Sequence, residues 1–233
     1  MSKKRRSEMV RARSVLVGYG GKESALCPPI SLTVGSGKVL AVVGANGTGK
    51  STFLRAVAGL LEPLSGAIDV LGSPVDERAR QFRAAVATVL DEDSYLPALT
   101  VREHLLLTAR GHGQAQVSDL VTQVVQDFGL TDRQHALPQA LSSGQRRRLL
   151  LASAFVRPRS LLILDEPEQR LDAGMRYRLG QRLVAERTAG TCVVMATHDP
   201  ALVRACASSA LIIAEDRVRL TAPQEAATVI EQL

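Results

Sequence analysis

"GANGTGKST", residues 44–52, decides how this chain is read. It matches the phosphate-loop pattern G-x-x-x-x-G-K-[ST] and lies between the apolar run "KVLAVVG" (38–44) and a helical pattern, the context that motif demands. Gly44, Gly47 and Gly49 allow backbone angles and a close approach that side chains would block. The loop N–H groups then line a concave anion site closed by a helix N-terminus. Lys50 is placed to reach the β- and γ-phosphates and the Ser51 hydroxyl to bind Mg²⁺, while Asn46 and Thr52 complete the binding stretch.

Two further apolar runs, "SLLILDE" (160–166) and "TCVVMAT" (191–197), lack the alternation of half-exposed strands. With 38–44 they read as strands of a parallel sheet covered on both faces. Each is followed by a polar turn and a helical pattern, so the core is α/β. Ligands of such sheets bind at the carboxyl ends of the strands. Asp165 closes its run there as a Mg²⁺ ligand, with Glu166 next to it to polarise an attacking water. An Asp-Glu pair in that place also suits a plain helix N-cap. His198, in "ATHDP", either donates to the γ-phosphate or occupies a loop before a helix capped by Asp199. Convergence of Lys50, Asp165, Glu166 and His198 at one edge of one sheet supports nucleotide hydrolysis.

Upstream, "SVLVGY" (14–19), "ISLTVGSG" (30–37) and "GAIDVLG" (66–72) read as strands of a flanking antiparallel sheet. Residues 91 to 158 form a helical insert. Within it "TVREHLLLTARG" opens on the capping box Thr100-x-x-Glu103, and "QVSDLVTQVVQDFGL" (116–130) has helical periodicity. A second capping box, Ser142-x-x-Gln145, starts the helix of "ALSSGQRRRLLLASAF" (140–155). Gly144 inside it costs about 1 kcal/mol relative to Ala and would let a bulky anion reach the free N–H groups. The tail "SALIIAEDRVRLTAP" (209–223) reads as two strands around a Glu215-Asp216 turn, then a terminal helix. The expected organisation is one domain, with a core lobe (10–90 and 159–233), a helical lobe (91–158) and a basic tail (1–9).

At 233 residues, 45% hydrophobic and 22% charged, the chain has the bulk of a folded protein with a sizeable core. No apolar stretch approaches the ~18 residues of a membrane span, and the basic start lacks the apolar segment of a secretory signal. Cys27, Cys192 and Cys206 lie far apart and fit free thiols in a reducing cytosol. The net charge of +6 sits largely in Lys3, Lys4, Arg5 and Arg6 and in Arg146, Arg147 and Arg148. Aromatics are only 3% and are not interleaved with basic residues, so no nucleic-acid partner is expected.

The chain thus has two candidate phosphate cradles, 44–52 and 142–145, but one set of Mg²⁺ and water groups. Together these residues resemble the ATP-binding subunit of ATP-binding cassette (ABC) transporters, from about Tyr19 to the terminal hairpin. "GANGTGKST" is similar to the family's Walker A motif, "LLILDE" to Walker B and "LSSGQ" to its signature. "RLD" (170–172) resembles the D-loop and His198 the switch histidine. The resemblance implies a phosphate-loop core with a flanking β-subdomain and a helical signature subdomain. It implies a head-to-tail dimer, of two copies or of two different chains, in which Ser142, Gly144 and Gln145 of one subunit meet the ATP held by Lys50 of the other. It implies adenine stacking on Tyr19, Mg²⁺ as the companion ion, and a separate membrane permease that places the subunit at the cytoplasmic face. No Asn-Lys-x-Asp guanine motif is present, so ATP is expected over GTP.

The sequence departs from the family pattern at three places. Asp91 stands where Gln is usual and is read either as a Mg²⁺-side ligand or as part of a solvated acidic loop. Ser143 replaces a signature glycine but still presents an N–H. Glu168-Gln169-Arg170 stands where small residues are commoner before the D-loop. The expected function is ATP-driven membrane transport, with export slightly favoured and no regulatory domain after the hairpin. The alternative is a soluble ABC-type ATPase acting on nucleic acid or ribosomes, although long coiled coils or a second cassette would then be expected. A phosphate-loop kinase would not need "LSSGQ", and a non-hydrolysing partner would not need both Glu166 and His198.

Overall fold

The structure, a computed structural model, describes residues 8–90 and 95–233. The chain opens with β1 (Glu8–Leu16) and β2 (Ile30–Gly35), paired antiparallel, then enters the central sheet as β3 (Val39–Val43). After α1 (Lys50–Val57), β4 (Ser65–Val70) and the short β5 (Ser73–Pro74) complete a four-stranded antiparallel sheet of order β2-β1-β4-β5. Then come α2 (Arg80–Ala85), β6 (Val86–Val89), α3 (Val101–Gly111), α4 (Val117–Asp127) and α5 (Ser143–Phe155). The rest alternates: β7 (Leu161–Asp165), α6 (Ala173–Thr188), β8 (Cys192–Ala196), α7 (Pro200–Cys206), β9 (Ser209–Ile213), β10 (Val218–Thr221) and α8 (Pro223–Glu231).

The central sheet has the order β10-β9-β3-β8-β7-β6. Its strands β9, β3, β8, β7 and β6 are parallel, and β10 is an antiparallel edge. Period-two alternation sorts its apolar side chains onto two faces. Leu40, Val42, Leu161, Ile163 and Val194 join a core with α1 and the antiparallel sheet. Val39, Ala41, Leu162, Leu164 and Met195 join one with the helices, including Leu105, Val121 and Leu149 of the helical insert. β3 and β8 are buried throughout, and both faces being covered is why neither run alternates in sequence.

The expected flanking strand 14–19 is displaced: β1 begins at Glu8 and ends at Leu16. Arg11 and Arg13 point outward from β1, and Arg13 pairs with Asp69 of β4, so the strand starts well before residue 14 and takes in the last two residues of the expected tail. Ser14, at φ 46°, shifts the register between Ala12 and Val15, which returns Val15 to the core. The six-residue α2 has neither a side-chain cap nor a buried residue, which explains its faint sequence signal. Both capping boxes form, at Thr100–Glu103 and at Ser142–Gln145.

Candidate functional site

β3 delivers the chain to the glycine-rich loop, and α1 carries it away. Gly44 has φ 154°, and a Cβ there would lie 2.1 Å from the Ile213 carbonyl oxygen of β9, so the loop starts where only glycine fits. Gly49, left-handed at φ 95°, turns the chain into α1, whose start has no side-chain cap. Its first N–H groups therefore stay available to an anion. The Lys50 ammonium folds back over the loop and donates to the carbonyls of Gly44 (2.9 Å) and Ala45 (2.8 Å). Burial lowers its pKa, and the charges of Glu166 and Asp165 oppose that shift. Thr52 is buried in the first turn of α1, whereas Asn46 and Gly47 are exposed on the loop.

Asp165 ends β7, beside β8 and β6. Burial raises its carboxyl pKa, and a hydrogen bond with Ser51 opposes this. Its Oδ1 is buried without a hydrogen-bond partner. An orphaned carboxylate oxygen beside a hydroxyl fits a hard divalent cation that keeps few protein ligands, and Ser51 with Asp165 would hold Mg²⁺ here.

Glu166 follows in a left-handed conformation, φ 45°, with its N–H bonded to the Ala196 carbonyl at 2.9 Å. Its Oε1 lies 3.6 Å from His198 Nε2, and its Oε2 accepts from the Gln169 amide. Burial and then Lys50 hold the His198 pKa below the ordinary imidazole value, with Glu166 and Asp165 pulling the other way. The ring is thus neutral at pH 7, and its Nε2 is buried without a hydrogen-bond partner. Asn46, Glu166, Gln169, Arg170 and His198 line a cleft of about 530 Å³.

Lys50, Ser51, Asp165, Glu166 and His198 therefore gather at the carboxyl ends of β3, β7 and β8. Two support residues lie outside the motif logic. Arg147, buried on α5, donates Nη2 to the main-chain carbonyls of Asp165 and Glu166, the latter at 2.8 Å. Glu168, also buried, accepts from the Thr197 hydroxyl at 2.7 Å and the His198 N–H at 2.8 Å. Neither contact is local in sequence. Only the unusual Glu168 offered a signal.

Residues 142–145 form a separate turn at the start of α5. Ser142 Oγ accepts from the Gln145 N–H (3.2 Å) while Gln145 Oε1 accepts from the Ser142 N–H (3.0 Å). A Cβ on Gly144 would lie 2.6 Å from the Arg170 carbonyl oxygen, so this glycine is needed for packing within the chain. None of Ser142, Gly144 and Gln145 lines the cleft at Glu166 and His198. Tyr19 is 60% exposed, two residues beyond Val17, whose side chain lies 3.4 Å from the Cβ position of Gly49. Asp91 falls outside the described residues.

A parallel sheet with a phosphate-binding loop and two carboxylates at its carboxyl edge defines a phosphate-loop nucleotide-binding domain. The family model for ABC transporters matches residues 27–169, and the chain belongs to that family. It is 35% identical over 182 residues to the Nod factor export ATP-binding protein I of Rhizobium etli, covering 77% of this chain and 57% of that protein. It is 37% identical over 171 residues to the protein of the same name from Burkholderia lata, covering 72% and 56%. The chain thus spans less than two thirds of these relatives. A solved ATP-binding subunit of an ABC transporter superposes with TM-score 0.82 at 25% identity, over 92% of this chain and 90% of that one. The structure of cbiO1 from Clostridium perfringens, part of the ABC transporter complex cbiONQ, gives 0.77 at 25% identity over 94% and 90%.

Proposed function

We propose that this chain binds and hydrolyses ATP to power a membrane transporter whose permease is a separate polypeptide. The observation that carries the proposal is the gathering of Lys50, Ser51, Asp165, Glu166 and His198 at one sheet edge. Lys50 would exchange its two loop carbonyls for phosphate oxygens, a partner swap that leaves no charge uncompensated. Glu166 would orient a water and take its proton as the water attacks the γ-phosphorus. His198, whose neutral form burial and Lys50 favour, would donate to a γ-phosphate oxygen from a ring N–H. Mg²⁺ on Ser51 and Asp165 would supply positive charge against the separating phosphates.

Ser142, Gly144 and Gln145 do not line the cleft, and they would act on ATP held by another subunit, with two nucleotides between head-to-tail subunits. Tyr19, an exposed aromatic, would stack on adenine. The domain reads as one unit with a core lobe and a helical lobe over 91–158. The permease would dock between those lobes, where Leu60, Leu90, His104, Leu150 and Arg157 line a groove of about 330 Å³. Among the described residues no helix is long and apolar enough to cross a membrane, so binding at the cytoplasmic face would run through that partner. The relatives named for export favour that direction.

The test is a tagged Glu166→Gln variant held with Mg²⁺-ATP. Its turnover should fall by at least about 10²-fold, the scale of a lost general base. From detergent-solubilised membranes of the native host it should bring down a multi-span membrane protein in stoichiometric amount. Recovery of only ribosomes, DNA or soluble proteins would remove the transport assignment, and unchanged turnover would remove the role of Glu166.

A further inference from the structure

Glu168-Gln169-Arg170, bulky where the family resemblance leads one to expect small residues, has no part in the reaction as described so far. Glu168 is only 9% exposed, and its Oε1 accepts from both the Thr197 hydroxyl (2.7 Å) and the His198 N–H (2.8 Å). Thr197 Oγ1 in turn accepts from the Asp199 N–H at 3.0 Å. The turn after β8, with His198 at its centre, therefore hangs on one carboxyl group. Removing a carboxyl from water is costly unless it is hydrogen-bonded, and Oε2 of Glu168 is buried with no partner at all. An apolar side chain would fill the same space without that cost, so the two bonds are what the carboxyl contributes.

Gln169 acts on Glu166. Its amide donates to Glu166 Oε2, and its main-chain N–H bonds to the Glu166 carbonyl at 3.1 Å. Glu166 stands on a left-handed residue in a turn, where its side chain would otherwise choose among rotamers. With Oε2 held by Gln169, Oε1 is left facing His198 at 3.6 Å.

We propose that Glu168 and Gln169 are positioning residues for hydrolysis: Gln169 sets the orientation of Glu166, and Glu168 sets the main chain that carries His198. The two groups proposed to act on the attacking water are thereby each held by one of two neighbours in sequence. This inference rests on the reading of the site as an ATPase.

The experiment is steady-state ATP hydrolysis by the full chain with Mg²⁺, comparing wild type with Glu166→Gln, Gln169→Met, Glu168→Leu and Glu168→Gln. Gln169→Met keeps the length of an exposed side chain but loses the donor, and its kcat should fall about tenfold while KM stays within about twofold. Glu168→Leu should show the same split. Glu168→Gln keeps an oxygen acceptor for Thr197 and His198 and should recover most of the turnover. Wild-type kcat in Gln169→Met, or equal losses in Glu168→Leu and Glu168→Gln, would overturn the proposal. If Glu168→Leu does not fold, Gln169→Met and Glu168→Gln decide. A wild type that does not turn over ATP removes the ATPase reading itself. That result is distinct from an active, Glu166-dependent enzyme with unaffected Gln169→Met.

Discussion

Two helices of this protein begin at glycine-containing turns, and they begin in opposite ways. α1 follows left-handed Gly49 with no side-chain cap, so its leading N–H groups await a ligand. α5 starts on a closed capping box in which Ser142 and Gln145 satisfy each other's backbone. Its glycine has an internal neighbour, the Arg170 carbonyl, as well as any external one. An open helix start can capture phosphate by itself. A closed one can only present a preformed surface, since Ser142 Oγ accepts from Gln145 and keeps its own proton to offer. In the proposed dimer the first captures ATP and the second senses that it has been captured.

That contrast can be broken at several points. The largest effect is expected from Lys50→Ala, which should weaken ATP binding by about 10²-fold in the isolated chain, as removal of a buried charged contact does. Equilibrium titration with a fluorescent ATP analogue checks it, and retained affinity would mean that the loop N–H groups suffice. Gly144→Ala should do the reverse. Its methyl meets the Arg170 carbonyl, costing about 1–3 kcal/mol of stability. ATP affinity should stay within about twofold while ATP-driven dimerisation in Glu166→Gln weakens about tenfold, one of the usual steps for a displaced contact. Size-exclusion chromatography with and without Mg²⁺-ATP reads the difference, and a parallel loss of ATP affinity would merge the two helix starts into one site.

The smallest effect concerns pH. His104 of α3 accepts the Leu96 N–H at Nδ1 (3.3 Å), so its proton sits on Nε2 and is shared with Ser153 of α5 (2.9 Å). Burial holds its pKa below the ordinary imidazole value of about 6.5. The unfolded chain therefore binds more protons below that pH, and the folded state loses stability as pH falls. In thermal melts from pH 7.5 to 5 the wild type should lose more than His104→Gln, so the gap between them narrows. A constant gap would remove His104 from the pH dependence.

The motif residues were legible because each lies in a short contiguous run whose chemistry depends on local backbone shape. β3, β7 and β8 were legible as parallel strands because burial leaves unbroken apolar runs, whereas β9 read as half of the terminal hairpin and β6 was not assigned to the sheet. Where the reading slipped, a side chain served a distant partner. Arg11 and Arg13 hid the first half of β1, which was expected to start only at residue 14, because an outward charge on a strand looks like a charge in solvent. Arg147 looked like one member of a surface cluster, yet it is buried under the Asp165 and Glu166 carbonyls. Glu168 was visible as an oddity, but its use depends on Thr197 and His198, which only folding brings near.

Arg147 has a consequence for how two sites in such a dimer would communicate. The helix whose first turn would touch the neighbour's nucleotide is the same helix whose Arg147 grips the main chain of its own hydrolytic carboxylates. A displacement of α5 by one ATP would therefore be felt at the other, without any flexible relay between them. Occupancy of each site would alter affinity at its twin by an identical factor, since linkage between equilibria is reciprocal.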